Sequence, residues 1–345
     1  MAKRTSRRSS ARRSAARKAA SRTPEIIEAP PLGRRELYDS KVFRKPTQKM
    51  PDKVSAALLL PEVEPFDVSI VDRRGLARYS NGPIKPHAPD WLAVTAKPKK
   101  HLFAGKSGAR VRYRGIELEP LWVLGADDRR TYYDTNYPWR CVCKVNTSAG
   151  SGSGVIVGPR HVLTASHVVN WAVASGVNGS VDVLRAGAMV SATSRIVRVH
   201  AFTRVTGGIG WTELDEDYAV LITADRIGDW FGWLGTRTYN SSWDDEPYWF
   251  NIGYPGDVAS GNFPIFQNRR DLDEHSFDFG SGRAMDTNAD TFFGQSGGPM
   301  AAFWDDGPYA VAVVSAQSRD GARENYCSGG SDLPRLVRRG LDRDP

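Results

Sequence analysis

The sequence predicts an all-β fold, an antiparallel sandwich or barrel with a short helix at its C-terminal end. The chain has 345 residues, with 33 glycines, 21 prolines and few long stretches of helical periodicity. That composition is typical of a loop-rich β protein. From residue 140 onwards, short runs rich in β-branched residues alternate with turn residues, which is the pattern of short antiparallel strands.

Short strands are therefore expected throughout the second half of the chain. They are predicted at residues 140–145, 154–157, 161–164, 180–184, 195–199, 218–222, 249–252 and 310–315. The helix is predicted at residues 333–341, since Ser331 or Asp332 can cap it and Pro334 lies in its first turn. No apolar run approaches 18 residues, so no membrane span is expected.

Charge and composition divide the chain into three parts. Residues 1–23 carry nine Lys or Arg and no acid, and we expect a disordered basic tail because they cannot bury an apolar face. Residues 24–134 are mixed and proline-rich, and we expect a pro-region or a structural extension with a few strands. Residues 135–345 carry 18 basic and 24 acidic residues. The whole-chain excess of +8 is therefore no argument for nucleic-acid binding, except through residues 1–23.

The cysteines and histidines do not suggest a metal centre, and no cofactor is expected. Cys141 and Cys143 alternate in a predicted strand and so point to opposite faces, which prevents them from pairing with each other easily. One of them could pair with Cys327. A metal site needs more ligands at close spacing.

A serine within a glycine-rich turn is the first candidate for chemistry. Ser296 lies in Thr291-Phe-Phe-Gly-Gln-Ser-Gly-Gly-Pro-Met300. Gly294, Gly297 and Gly298 suit a tight turn that exposes the Oγ atom and lets a carbonyl group approach backbone N–H groups. A hydroxyl needs a base to become a nucleophile, and a glycine-rich turn without chemistry is the alternative.

His167 and Asp217 are candidates for the base and for the carboxylate that orients it. His167 follows the apolar run Val162-Leu-Thr-Ala-Ser, and a buried structural histidine is the alternative. Asp217 is the last acid before the apolar run Tyr218-Ala-Val-Leu-Ile, so it can be held out of water beside the imidazole. Asp215 and Glu216 are expected to be solvated loop acids.

These segments, in the order His, Asp, Ser, resemble the chymotrypsin-like (trypsin-type) serine peptidases. The carriers are Thr164-Ala-Ser-His167, Asp217-Tyr-Ala-Val-Leu and Gly294-Gln-Ser-Gly-Gly-Pro. Further segments, Ser151-Gly-Ser-Gly-Val-Ile-Val-Gly and Ile252-Gly-Tyr-Pro-Gly-Asp257, resemble the bacterial branch that includes the V8-type glutamyl endopeptidases. The resemblance covers about residues 135–340 and leaves residues 1–134 uncovered.

The resemblance implies two six-stranded antiparallel Greek-key barrels with the triad between them. Ser296 would be the nucleophile, His167 the base, and Asp217 the group that orients the base. The N–H groups of Gly294 and Ser296 would form the oxyanion hole. The strand that contains Ser315 and Gln317 would line the primary pocket and pair with an extended peptide or protein substrate. Secretion is also implied, although the sequence has no classical signal peptide.

The chain departs from the family patterns at three positions. Trypsin has an aspartate before the nucleophile, where this chain has the uncharged Gln295, so an ion pair with a new N-terminal amine is not expected. Asp290 matches the position at the base of the trypsin pocket, which would favour Arg or Lys substrates; a turn or cap residue is the alternative. V8-type enzymes have a histidine at the position of Val314, which argues against glutamate specificity, although Thr291 matches another pocket residue.

The sequence therefore favours a serine endopeptidase over two other functions. One is a catalytically silent relative that binds extended peptides, and the other is a binder of nucleic acid or anionic surfaces through its basic tail. Because residues 1–134 carry an excess of basic residues and residues 135–345 an excess of acidic ones, the front segment is expected to dock on the body and inhibit it. A permanently packed extension is the alternative.

Overall fold

A computed structural model of the chain describes residues 28–51, 66–99, 127–148, 150–172, 179–206, 209–210, 212–274, 281–317 and 325–345, with the backbone of 111–113 and 116–118. Residues 31–345 form one compact unit, and residues 1–30 belong to a separate one. The predicted basic tail, residues 1–23, lies outside the described residues.

The described chain is mostly β, as predicted. In chain order its strands are β1 (Asp67–Ile70), β2 (Val111–Tyr113), β3 (Ile116–Leu118), β4 (Arg130–Thr131), β5 (Val142–Thr147), β6 (Gly150–Gly158), β7 (His161–Thr164), β8 (Gly179–Val183), β9 (Ala192–Ala201), β10 (Ala219–Thr223), β11 (Gly235–Thr236), β12 (Trp249–Gly253), β13 (Ile265–Arg270), β14 (Leu272–Glu274), β15 (Gly282–Thr287), β16 (Pro299–Trp304), β17 (Gly307–Gln317) and β18 (Asn325–Gly330). The helices are α1 (Arg34–Asp39), α2 (Arg73–Leu76), α3 (Ile227–Phe231) and α4 (Asp332–Arg343).

Six antiparallel strands close the first barrel, as the resemblance implies. Their order is β9-β10-β7-β6-β5-β8, and β8 pairs back onto β9. Strand β10 is buried along its whole length, which agrees with its continuous apolar sequence. Helix α4 packs against β7 and β10 on the outside of this barrel and matches the predicted C-terminal helix.

The second sheet is a curled half-barrel, the counterpart of the second barrel that the resemblance implies. Its described strands follow the path β14-β15-β18-β17-β16-β12-β13-β4, with β11 paired to β17. Among the residues that the structure describes, no pairing joins the two ends of this path. An aromatic cluster on this sheet is formed by Tyr239, Trp243, Trp249, Trp304 and Tyr309.

The segment before residue 135 is built into both sheets. Strand β1 pairs in parallel with β9, with Asp67 opposite Arg198. Strand β4 pairs with β13, with Thr131 opposite Ile265. The side chains of Val71, Leu76, Ile84, Leu92, Val94 and Tyr132 are buried in the same core as the first barrel. The described part of this segment, hereafter the extension, therefore packs against both sheets.

Two strand boundaries of the prediction need correction, and the cysteine pairing that the sequence left open is absent among the described residues. The strand expected at 140–145 begins two residues later, because Trp139–Cys141 forms a 3-10 turn, so Cys141 lies outside it. All three cysteines are buried free thiols. Strand β6 begins at Gly150, four residues before the strand predicted at 154–157. No described helix is long and apolar enough to cross a membrane.

The fully buried His161 should make folding stability depend on pH. Burial disfavours the imidazolium and lowers the pKa of His161 to about 4 from its ordinary value of 6.5. Between these values the unfolded chain binds a proton that the folded chain does not, so stability is lost as the pH falls from 6.5 to 4. The linked loss is about 3 kcal/mol.

Urea unfolding at a series of pH values checks this expectation. His161→Gln should lower the slope of the unfolding free energy against pH between 4 and 6.5 relative to the wild type. Identical slopes for the two proteins would contradict a buried neutral imidazole.

Candidate active site

Residues from both sheets line one cavity of about 510 Å³, and His167 and Ser296 both lie in its wall. The wall is formed by His167, Val169, Asn170, Trp171, Ala172, Val205, Thr206, Ile209, Thr291, Phe292, Phe293, Ser296, Val314, Ser315, Ala316 and Gln317. The cavity therefore brings together two of the three residues predicted to form the triad.

Strand pairing in the first barrel places His167 beside Asp217. His167 lies in the 3-10 turn Ser166–Val168 that follows β7. Asp217 ends the 3-10 turn Leu214–Glu216 and lies two residues before β10. Because β7 and β10 are antiparallel, with Thr164 opposite Ala219, the end of one strand meets the start of the other.

Two hydrogen bonds join the pair. The Nδ1 atom of His167 lies 2.6 Å from Oδ2 of Asp217, and the backbone N–H of His167 donates to Oδ1 at 2.9 Å. The Asp217 side chain is 0% exposed, while 24% of the His167 side chain is exposed. The ring is therefore held by a buried carboxylate at one nitrogen and is open to the cavity on its other side.

The environment raises the pKa of His167. Burial by itself disfavours the imidazolium, but the charge of Asp217 and its hydrogen bond outweigh burial. The pKa of His167 is therefore above its ordinary value of about 6.5. The pair favours the protonated ring that a general base forms when it accepts a proton.

The second sheet also contacts the buried carboxylate. Ser315 donates its hydroxyl to Oδ2 of Asp217 at 2.5 Å, from the point in β17 where pairing with β18 shifts register. The N–H of Asp217 donates to Oγ of Ser328 at 3.0 Å. Asp217 therefore joins the two halves of the protein.

The two acids before Asp217 are not solvated, which corrects the prediction. Asp215 and Glu216 are both buried. Glu216 accepts hydrogen bonds from Arg73 at 2.7 Å and from Thr203 at 2.9 Å. Arg73 belongs to helix α2 of the extension, which the sequence did not connect with this loop.

A type II turn positions Gly294 before Ser296. The N–H of Gln295 donates to the carbonyl of Phe292 at 2.9 Å, and Gly294 has a φ of 94°. This turn requires a positive φ at its third residue, where glycine is favoured. A side chain at Gly294 would also meet the carbonyl oxygen of Tyr254 at 2.6 Å.

The turn fixes the direction of the Gly294 N–H group. The carbonyl of Phe293 accepts from the N–H of Gly256 at 2.7 Å. Since a trans peptide is planar with its C=O and N–H groups opposed, the Gly294 N–H points away from Gly256. Among the described residues, the N–H groups of Gly294 and Ser296 donate to no other group, so both are available to a ligand.

The serine loop is also held against the first barrel. Ser153, buried in β6, donates its N–H to the Ser296 carbonyl at 2.8 Å and its hydroxyl to the Gly294 carbonyl at 2.7 Å. A side chain at Gly297, whose φ is 83°, would collide with the Ser153 carbonyl and the Thr164 hydroxyl. The loop conformation therefore depends on glycine at this position.

The predicted pocket residues have different positions. Thr291, Ser315 and Gln317 line the cavity, whereas Asp290 is not part of its wall. Asp290 is buried, and its carboxylate accepts from the N–H of Asp128 at 3.4 Å. The structure therefore places Asp290 outside the cavity, where the sequence had suggested a pocket base.

Two parts of the site were missed in the sequence. Ser153 lies just before the strand predicted at 154–157, and Ser328 lies in a strand far from any motif. The sequence contains no signal for Ser328, because its contact with Asp217 depends on the pairing of β17 with β18. No cluster of three His, Cys, Asp or Glu side chains among the described residues could hold a metal ion.

Comparisons with known proteins show what parts of this chain are similar to. Residues 152–306 match the family described as a trypsin-like peptidase domain. A glutamyl endopeptidase of Bacillus licheniformis is 30% identical over 142 residues, which are 40% of this chain and 44% of that protein. A protein of Bacillus subtilis with the name extracellular metalloprotease is 27% identical over 238 residues, which are 64% of this chain and 69% of that protein.

The fold also matches a solved structure. The structure of a Glu endopeptidase in complex with MPD superposes with a TM-score of 0.54 at 20% identity, over 64% of this chain and 100% of that one. At this identity the match concerns the fold alone. The chain therefore has a chymotrypsin-like fold, residues 152–306 match a trypsin-like peptidase domain, and part of the chain is similar to a glutamyl endopeptidase.

Proposed function

We propose that the protein is a serine endopeptidase that hydrolyses peptide bonds through Ser296, His167 and Asp217. The observation that carries the proposal is the buried Asp217–His167 pair opening into the cavity that Ser296 also lines. The exposed side of the His167 ring faces that cavity, where a serine hydroxyl needs a base.

In the first half of the reaction Ser296 Oγ attacks the carbonyl carbon of the scissile bond. A C–O bond forms while His167 accepts the hydroxyl proton, and Asp217 stabilises the resulting imidazolium. The negative charge on the substrate oxygen is met by the N–H groups of Gly294 and Ser296. His167 then gives the proton to the leaving amine as the C–N bond breaks.

The second half removes the acyl group from Ser296. Water attacks the ester carbonyl while His167 accepts a water proton, and the same two N–H groups bind the second oxyanion. Collapse breaks the C–O bond to Ser296 and returns the proton to its oxygen. The enzyme is regenerated without an external reagent.

The end of β17 offers an edge for an extended substrate. Ser315–Gln317 line the cavity, and one edge of this segment pairs with β18. No described strand pairs with the other edge beyond Val313. A peptide that added a strand there would pass Ser296 with residues on both sides of the scissile bond, as an endopeptidase requires.

The described cavity wall favours an uncharged residue before the scissile bond. His167 is the only titratable side chain among the described residues that line it, and Val, Ile, Phe and Trp side chains form much of the rest. Burying a substrate charge without a partner is costly. The Bacillus licheniformis relative is named a glutamyl endopeptidase. For this chain we propose instead a preference for an apolar residue before the scissile bond.

Ser296→Ala should abolish peptidase activity and leave the melting temperature nearly unchanged, because the half-buried hydroxyl is lost without altering the turn. Casein hydrolysis and circular dichroism of the full chain measure the two effects. Ser281→Ala, which alters a serine outside the cavity wall, is the control. Turnover by Ser296→Ala above a trace of the wild-type rate would rule out Ser296 as the nucleophile.

The kcat/KM of the wild type should rise with pH through one ionisation above 6.5, because His167 acts as a base only when neutral and Asp217 raises its pKa. Asp217→Asn should lower kcat by about 10⁴ and shift the midpoint to lower pH, since the charge that raises the pKa is gone. A pH-independent rate from 5 to 8 would exclude histidine as the base.

Three peptides that differ only in Leu, Glu or Arg before the scissile bond test the substrate preference. The leucine peptide should be cleaved at least about tenfold faster in kcat/KM, the scale of one unfavourably buried polar group. Faster cleavage after glutamate or arginine would show that a charged partner outside the described wall determines specificity.

A further inference from the structure

We propose that Arg129, in the extension before the catalytic domain, is a positioning residue for the oxyanion hole. It acts through Asp257 and the loop that follows β12. Residues 127–134 are then a working part of the enzyme and not part of a removable pro-segment. This inference rests on the proposed peptidase function.

Arg129 makes a bidentate pair with the buried carboxylate of Asp257. Its Nη1 donates to Oδ1 at 3.0 Å and its Nη2 to Oδ2 at 2.5 Å. The exposed fractions of the two side chains are 1% and 2%. Asp127 accepts two further hydrogen bonds from the same guanidinium, from Nε at 3.0 Å and from Nη2 at 2.9 Å.

The position of Arg129 is set by the second sheet. The next two residues form β4, which pairs with β13, and Tyr132 donates its N–H to the Pro264 carbonyl at 3.0 Å. Burial alone would lower the pKa of Arg129, but the two carboxylates raise it. The guanidinium is therefore a permanent, immobile cation beside the Tyr254–Asp257 loop.

The Tyr254–Asp257 loop makes the contact that orients the Phe293–Gly294 peptide bond, whose N–H group belongs to the proposed oxyanion hole. Gly256, adjacent to Asp257, donates its N–H to the Phe293 carbonyl at 2.7 Å. If the Phe293–Gly294 peptide rotated by half a turn, its carbonyl would take the place of the Gly294 N–H and repel the substrate oxyanion. The Gly256 hydrogen bond opposes that rotation, and the Arg129–Asp257 pair holds Gly256 in place.

The residue next to Ser296 does not supply an equivalent charge. Gln295 is uncharged, and its side-chain amide donates to Asn251 within the second sheet. Among the described residues, the Arg129–Asp257 pair is the buried ion pair adjoining the loop that contacts the Phe293 carbonyl. The cation that adjoins this loop is therefore a side chain from within the sequence.

Asp257→Asn and Asp127→Asn in the full chain are a matched test. Each substitution removes one of the two carboxylate charges that pair with the Arg129 guanidinium. The lost ion pair is therefore similar in the two variants, and Arg129 keeps one charged partner in each. Only Asp257 is attached to the Gly256 loop. The kcat and KM of each variant are measured on the best of the Leu, Glu and Arg peptides, below both melting temperatures.

We expect Asp257→Asn to lower kcat by about 10- to 1,000-fold, up to the effect of losing one oxyanion donor, with KM within about threefold. The affinity for a peptide aldehyde, which forms a tetrahedral adduct with the serine, should fall in parallel. Asp127→Asn should keep kcat within about threefold. Arg129→Lys, which retains the charge but loses the bidentate fork, should lie between the two.

Equal kcat values for wild type and Asp257→Asn, or equal losses for the two asparagine variants, would overturn the inference. A chain trimmed at Thr135 that is folded and as active as the full chain would also overturn it. These outcomes leave the proposed function intact, because the wild type still turns over. A wild type that cleaves none of the three peptides refutes the proposed function and this inference with it.

Discussion

The buried carboxylate of Asp217 is the interaction on which the rest of the site depends. It accepts hydrogen bonds from the backbone and the ring of His167 in the first barrel and from Ser315 in the second sheet. A carboxylate without solvent must be satisfied by donors, and here those donors come from both halves of the protein. The carboxylate therefore orients the ring of His167, the proposed base, and also joins the two halves beside the cavity.

A second set of contacts, one from each sheet, holds the loop that contains Ser296. Ser153 binds the carbonyls of Gly294 and Ser296 from the first barrel, and Gly256 binds the Phe293 carbonyl from the second sheet. With these carbonyls bound, the N–H groups of Gly294 and Ser296 remain available for an oxyanion. Preorganised dipoles of this kind need no rearrangement when charge develops on the substrate. In the proposed mechanism electrostatic preorganisation thus begins in the backbone, and the role proposed for Arg129 extends it to residues 127–134.

The sequence predicted the β class, the C-terminal helix and the residues that the structure gathers at the cavity, because each has a local signal. His167 follows an apolar strand, Asp217 precedes one, and Ser296 lies among glycines. The roles of Ser328 and Arg129 could not be predicted, since they depend on side-chain contacts between segments over 100 residues apart in sequence. The prediction that Asp215 and Glu216 are solvated was wrong. Their loop is buried because Arg73 and Ser328 contact it, and the local sequence does not show that these residues are close to it.

Labelling with a fluorophosphonate probe tests the central claim most directly, because the probe reacts with a serine only when a base and oxyanion donors activate it. The full-length protein would be treated with the probe at pH 8, digested and mapped by mass spectrometry. The account predicts a single adduct, on Ser296, whose formation slows as the pH falls below the raised pKa of His167. An adduct on another serine, or no adduct on folded protein, would contradict the account.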